Sequence, residues 1–418
     1  MKIIKPLKRM NAEIKAPPSK SYTNRALIIS ALANGTSVLQ KVLNSDDTLY
    51  MIKALRKFGI KITRQRNNLI VYGRGGKLRI PDTSIYVGNA GTAMRFLTAL
   101  ASLVRMRVTI TGDKRMQERP INDLLTALKQ LGINAYSLKG NGFPPVIVKG
   151  GSLVGGDVSI SGGISSQFLS AIMMICPFAK RRINIGVTGE LTSKPYVDIT
   201  AEVMRNFGAT VENQSYRKIE ISNNGYFANE YLIDGDASNI SYFLASAAIT
   251  KGYVRITGIN PSSAQGDIRF VDVLHKMGCG ISKGHDYIEL KGNDLSGISI
   301  EMNSMPDTVQ TLAVVALFAK GKTSIHNVHN LRVKETDRLR ALTKELRNLG
   351  AGIIELDDGI VITPKKYHGD VIETYNDHRM AMSFAVAGLR IPNIKIKNPE
   401  CVSKSFPDFW EMFEGMYD

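Results

Sequence analysis

Residues 165–224 read SSQFLSAIMMICPFAKRRINIGVTGELTSKPYVDITAEVMRNFGATVENQSYRKIEISNN, and the apolar pattern along them decides the class of fold. From Phe168 to Phe178 the stretch is apolar on every side, which predicts a helix buried all round; it is too short to span a membrane. RINIGVTG alternates as a strand does. PYVDITAEVMRNFG spaces its apolar residues at three and four, as a helix does, and ATVEN with RKIEISNN reads as a hairpin. Helix, strand, helix, strand, strand in succession predicts an α/β protein with mixed sheets.

The same order recurs along the chain. A helix ending in an aromatic residue, Leu or Met followed by Gly appears at Phe58-Gly59, Leu131-Gly132, Phe207-Gly208, Met277-Gly278 and Leu349-Gly350, at intervals of 70 to 76 residues. Each Gly is a left-handed helix stop, and the interval is that of a whole βα unit rather than of a solenoid repeat. A second marker, a polar residue opening a helix of small apolar residues, falls at Ser21, Asn89, Ser166, Ser238, Asp307 and Asn376. Six copies in 418 residues exceed what one core supports, which predicts two domains of three copies with a boundary near Asp234. The segment ending AEIKAPP precedes the first copy and reads as a strand without a unit, expected to complete the last copy. Gly73-Arg74-Gly75-Gly76 reads as a hairpin tip.

Charge narrows the partners. Lys and Arg outnumber Asp and Glu by 54 to 37, for a net charge of +17, so anionic partners are expected. The cations lie singly or in pairs rather than in runs, which argues against nucleic acid. Cys176, Cys279 and Cys401 form no paired motif, so neither a disulfide framework nor a zinc site is expected, and a reducing cytoplasm fits. His326 and His329 lie on a strand and the loop after it, a poor arrangement for a metal. Gly321-Lys322-Thr323 lacks the earlier glycine of a phosphate-binding loop, because Ala316 stands there. The opening residues lack the apolar core of a signal peptide, and no segment reads as a membrane span.

Helix N-termini carry unpaired N–H groups and partial positive charge, so they receive phosphates and carboxylates. Several of the six helix starts add cations: Lys20-Ser21 with Arg25, Gly88 to Thr92 with Arg95, and Asn376 to Arg379; Ser165-Ser166-Gln167 offers hydroxyls and an amide. A Ser, Asn or Asp there is an ordinary cap. Lys or Arg in a first turn opposes the helix dipole, and that cost is explained if an anion binds. The segment Asn330 to Leu339 packs charge densely, with Lys334 and Arg338 expected on one helix face. Asp307 has the position of a cap and the chemistry of a general base.

These residues resemble the 5-enolpyruvylshikimate-3-phosphate synthase family. Lys20-Ser21 with Asn24-Arg25, Gly88 to Arg95, Arg115-Met116 with Glu118-Arg119-Pro120, Ser165-Ser166-Gln167, Ser193-Lys194-Pro195-Tyr196, Gly235 to Ser238, Gln265-Gly266-Asp267, Arg332 to Arg338 and Asn376 to Arg379 occur in the family's order over nearly the whole chain. The resemblance implies a two-lobed inside-out α/β barrel of six βαβαββ repeats. Residues 1–18 with 234–418 would form the lower lobe and residues 19–233 the upper, with the active site in the cleft between them and closure on binding. It also implies transfer of the enolpyruvyl group of phosphoenolpyruvate to the 5-hydroxyl of shikimate 3-phosphate, with release of phosphate, no cofactor and no metal. Shikimate 3-phosphate would meet Lys20, Ser21, Arg25, Ser165, Ser166, Gln167, Ser193, Asp307, Asn330 and Lys334. Phosphoenolpyruvate would meet Lys20, Gly91, Arg119, Gln167, Arg338, Arg379 and Lys404. Asp307 would be the base, Lys20 or Glu335 the proton donor; with Lys334 and Arg338 favouring ionised Glu335, Lys20 is expected to donate and Glu335 to help remove the methyl proton later. The chain would act as a monomer.

Phe96 departs from the family, many of whose members carry proline there, and this puts inhibition by the phosphoenolpyruvate mimic glyphosate in doubt. Two rivals stand beside this reading. The related enzyme that acts on UDP-N-acetylglucosamine usually carries a loop cysteine, and Asp113 to Arg119 has none. A non-enzymatic nucleic-acid-binding protein would show its cations as a stripe.

Overall fold

The helices fall into two kinds, and the sequence explains both. Lys20–Leu32, Gly91–Leu100 and Ser166–Ile175 are built of small and aliphatic residues, and nearly every residue in them is buried. Such helices have no solvent face and must lie inside. Asp46–Lys57, Asn122–Gln130 and Pro195–Asn206 are amphipathic, with acids in the first turn and bases in the last, the charge order that suits the helix dipole. The structure, a computed structural model, describes residues 1–81 and 83–417 and separates into two compact units. One comprises Pro18–Ile233 and the other Met1–Pro17 with the chain from Asp234 onward.

In the unit Pro18–Ile233, three four-stranded sheets repeat one topology. Gly156–Ser161 runs parallel to Ile183–Thr188, and the hairpin Val211–Gln214 with Lys218–Ile221 adds antiparallel on the other side. Ile85–Tyr86, Arg107–Thr111, Asn134–Ser137 and Val146–Lys149 repeat it. The copy that opens with Lys20–Leu32 takes its parallel strand from Glu230–Leu232, at the far end of the unit, which closes the set. The hairpin tip of that copy is the turn at Arg66 and Asn67, not the glycines at 73–76, because Asn68–Arg74 continues as a strand to Arg74.

The other unit completes its sheets with the N-terminal segment. Asn11–Lys15 runs parallel to Tyr253–Thr257, so it finishes the fourth copy rather than the last. It is Lys2–Ile3, antiparallel to Lys395–Ile396, that joins the sixth. The reason is visible in the sequence: Asn11–Lys15 is long enough to match a five-residue partner, whereas the sixth copy offers two-residue strands only. The all-buried helices here are Ala237–Ile249, Val309–Ala316 and His378–Gly388, which pack on one another. Burying each of their Leu, Ile or Phe side chains contributes roughly 1.5–3 kcal/mol, and truncating Leu312 to Ala would cost about 2–5 kcal/mol. The glycine after each of the five amphipathic helices has a φ between +83° and +119°, the left-handed stop that the repeat predicts.

Candidate active site

The polar residues of the first unit gather at the starts of its buried helices. Ser19 caps Lys20–Leu32 and Ser165 caps Ser166–Ile175, two residues and one residue before the expected Ser21 and Ser166. Lys20 Nζ lies 3.1 Å from Asp47 Oδ2. One turn on, Arg25 is buried, and its guanidinium donates to Thr200 Oγ1 at 2.7 Å, Tyr196 O at 3.0 Å, Ser21 O at 3.1 Å and Ser170 Oγ at 3.4 Å. It stacks on Phe96 at 5.2 Å and Tyr196 at 5.9 Å. These partners are neutral, so burial dominates and lowers its pKa to about 10. A desolvated guanidinium of this kind gains from an arriving anion.

A second cluster forms around Gly91–Leu100. Arg119 donates to Asn89 Oδ1 at 3.0 Å and Asn89 O at 3.2 Å, and Arg95 donates to Gly91 O at 3.2 Å and Pro120 O at 3.0 Å. A methyl group on Gly91 would fall 2.6 Å from Arg119 Nη2 and 2.8 Å from Arg95 Nη1, so glycine is what lets both guanidiniums close on this helix start. Gln167 Nε2 reaches Thr92 Oγ1 at 3.3 Å and joins the two clusters. Ser193 is buried with a φ of +56°, beside Thr192, a backbone state that costs energy for a residue with a Cβ. The structure thus brings Lys20, Ser21, Arg25, Gly91, Arg119, Ser165, Ser166, Gln167 and Ser193 onto neighbouring helix starts of one unit. Tyr196 and Asp47 were not singled out as site residues; the aromatic residue closing Ser193-Lys194-Pro195-Tyr196 was the available signal for the first.

The second unit builds an ionic cage instead. Arg338 is almost completely buried; its Nε donates to Asp377 Oδ2 at 2.8 Å, its Nη2 to Glu335 Oε2 at 2.9 Å and its Nη1 to Asp307 Oδ1 at 3.1 Å. Burial works against its charge, but Asp377, Glu335 and Asp307 together outweigh it and raise its pKa. Arg379 holds the other oxygen of Asp307 at 2.8 Å and donates to Tyr242 Oη at 3.2 Å. Lys404 Nζ stands 4.0 Å from Glu335 Oε1. Asn330 is buried nearby in the turn His329–Val333.

Three expectations are corrected here. Asp307 is not a helix cap: it sits inside the tight turn Pro306–Thr308, which has no side-chain cap, and both its oxygens face arginines. Lys334 and Arg338 do not share a helix face, because Asp337 caps a helix that begins only at Arg338 and residue 334 is extended. At the sixth copy it is Asp377 that caps His378–Gly388, while Asn376 precedes it with a φ of +55°. Asp377 falls within the predicted helix start Asn376 to Arg379, but its pairing with Arg338, like the contact of Tyr242 with Arg379, is legible only in three dimensions. Among the described residues no group of three or more His, Cys, Asp or Glu could hold a metal ion.

The family model for EPSP synthase (3-phosphoshikimate 1-carboxyvinyltransferase) matches residues 4–413. The chain belongs to the EPSP synthase family. A 3-phosphoshikimate 1-carboxyvinyltransferase of Shewanella baltica is 46% identical over 419 residues, covering 99% of this chain and 98% of its own. One of Shewanella piezotolerans is 46% identical over 420 residues with the same coverage. Among solved structures, an EPSP synthase from Acinetobacter baumannii superposes with a TM-score of 0.83 at 27% identity, covering 99% of this chain and 97% of that one. The EPSP synthase fold, two lobes of repeated βαβαββ units, is therefore the fold of this chain.

Proposed function

We infer that the chain is a 3-phosphoshikimate 1-carboxyvinyltransferase, moving the enolpyruvyl group of phosphoenolpyruvate to the 5-hydroxyl of shikimate 3-phosphate and releasing phosphate. Family membership across the chain and the names of its relatives support that activity. For the division of labour, the observation that carries most weight is Asp307 with one oxygen on Arg338 and the other on Arg379. A carboxylate so placed is a base beside the cations that an anionic donor would seek.

On this reading Asp307 removes the hydroxyl proton of the sugar, the hydroxyl oxygen bonds to the central carbon of phosphoenolpyruvate, and Lys20 gives a proton to the methylene carbon. In the resulting tetrahedral intermediate the carbon–oxygen bond to phosphate then breaks, and Glu335 takes a proton from the new methyl group to restore the double bond. Arg119, Arg338, Arg379 and Lys404 hold the carboxylate and the leaving phosphate, with Gly91 and Gln167 beside them. Arg25, Ser21, Ser165, Ser166, Ser193, Asn330 and Lys334 hold shikimate 3-phosphate. On this reading each unit contributes to the reaction, since Lys20 belongs to one and Asp307 to the other.

A phosphate-release assay with phosphoenolpyruvate, run with shikimate 3-phosphate and separately with UDP-N-acetylglucosamine, tests the function. Release with the first acceptor only is expected; release with the second only would replace this reading. We propose that the enzyme works in the cytoplasm, which three buried cysteines without disulfides support, and that it is a monomer; a native mass twice that of the chain would overturn the second point.

A further inference from the structure

Asp267 belongs to Gln265-Gly266-Asp267, a stretch the reaction above does not use. It lies in the short turn Gly266–Arg269 and is nine-tenths buried or more. Its Oδ2 accepts a hydrogen bond from the Ser238 hydroxyl, in the first turn of the buried helix Ala237–Ile249. That turn is tied down: Gln265 accepts from the Ala237 N–H at 3.2 Å and donates to Gly235 O at 2.7 Å, while Asp236 caps the helix through the Asn239 N–H at 2.8 Å. Gly266–Arg269 packs against both that helix and Pro306–Thr308. Asp267 is therefore fixed in place, and the charges that act on it most strongly are Asp307 and Arg379, with Asp236 weaker. Arg269, Asp272, His275 and Lys276, from its own turn and the helix after it, are exposed on the outer side.

An arriving anion adds negative charge to a point already rich in carboxylates. Asp307, Glu335 and Asp377 share Arg338, while Arg379 and Lys404 add two cations. Asp267 adds a further buried carboxyl beside Asp307. A donor carboxylate or phosphate that engages Arg338 and Arg379 draws their charge away from Asp307. The buried carboxyl of Asp267 and the half-buried one of Asp307, on turns that pack together, then have less positive charge near them, and such a pair tends to keep one proton.

We propose that Asp267 is a positioning residue for the Asp307 base: it takes up a proton when an anionic donor engages Arg338 and Arg379, and so leaves Asp307 ionised to act. This rests on the roles given to Asp307, Arg338 and Arg379 above. Ser238 is the anchor that aims Asp267, and the proton comes from solvent as the donor binds. The carboxyl is poised for this, since burial first and Asp307 second push its pKa up to about 7 against the pull of Arg379 and Ser238.

The sign follows. Below pH 7 Asp267 already carries its proton, so donor binding costs nothing extra. Above pH 7 the proton must be collected, and the KM for phosphoenolpyruvate rises with pH, by up to about tenfold between pH 7 and 8.5. Asp267→Asn imitates the protonated carboxyl, so its KM for phosphoenolpyruvate should stay flat where the wild type climbs, with kcat at pH 7 within a few-fold. Both enzymes meet the same ionisation of phosphoenolpyruvate itself, so the difference between the two profiles belongs to Asp267. Ser238→Ala removes a hydrogen bond that favours the ionised form, and should move the start of the climb to higher pH. An Asp267→Asn profile parallel to the wild type, or one in which only kcat collapses, overturns the proposal. Should that variant not fold, an unmoved profile in Ser238→Ala overturns it instead. Turnover of both substrates by the wild type tests the function separately from either result.

Discussion

Arg25 and Arg338 are both buried arginines near helix starts, and the two units treat them in opposite ways. Around Arg25 the unit Pro18–Ile233 places hydroxyls, carbonyls and aromatic faces, and the pKa falls to about 10 because burial prevails. Around Arg338 the other unit places three carboxylates, and the pKa rises although burial opposes it. The first arrangement holds a cation in readiness for an anion from outside. The second pairs its charges internally, so an incoming anion must trade places with one already there. The contrast is therefore between a buried cation with neutral partners and one with anionic partners.

The strongest way to break it is Asp307→Asn. Loss of the base should lower kcat by about 10²–10⁴-fold in the phosphate-release assay, with the KM for shikimate 3-phosphate changed far less. A variant within tenfold of wild type would show that the cage is structural. Next come the two arginines themselves, each replaced by Met. Arg338→Met strands the carboxylates of Asp377 and Glu335 and should destabilise the protein by about 3–5 kcal/mol in urea unfolding. Arg25→Met strands only neutral groups, so stability should hold or rise slightly. Its KM for shikimate 3-phosphate should increase by about 10- to 100-fold, the worth of one or two charge-assisted hydrogen bonds. Equal loss of stability in both would erase the contrast.

Glu335→Gln sharpens the chemical side. Elimination from the preformed tetrahedral intermediate, followed by rapid quench, should slow by about 100-fold; an unchanged rate would remove Glu335 from that step. The smallest effect concerns Phe96, whose ring lies 5.2 Å under the Arg25 guanidinium. Phe96→Leu keeps apolar packing but forfeits a desolvated cation–π contact of about 2 kcal/mol; because Arg25 keeps its four hydrogen bonds, the KM for shikimate 3-phosphate should rise only a few-fold. A larger change confined to phosphoenolpyruvate would instead place Phe96 on the donor side, through Gly91 and Thr92.

The two regions also differed in how far the sequence revealed them. The repeat was legible because each copy ends an amphipathic helix on Gly and opens a buried helix with a polar residue, signals set by local chain physics. In the first unit the site was legible for the same reason: Lys20, Arg25 and Gly91 lie within a turn or two of their helix starts. The ionic cage was only half legible. Asp307, Glu335 and Arg338 could be named, yet Asp377, which gives Arg338 its bidentate partner, comes from a different copy, and no local pattern records that meeting. The expected shared face of Lys334 and Arg338 failed for a related reason: the cap at Asp337 starts the helix later than charge spacing alone suggests. The sequence shows Asn11–Lys15 to be a strand but not that it pairs with the fourth copy rather than the last, since pairing is decided by tertiary register.

That pairing shapes how the chain comes into being. Met10 and its hydrogen-bonding partner Thr250 are 240 positions apart, and every residue of the intervening unit is synthesised between them. On a ribosome the first strands emerge long before the sheets that accept them, so they wait as an unpaired leader while Pro18–Ile233 has all of its own strands to hand. Domains emerge and fold as units in the order their parts become available. The unit that takes strands from both sides of Pro18–Ile233 is therefore finished after it, and with it the acidic cage that holds Arg338.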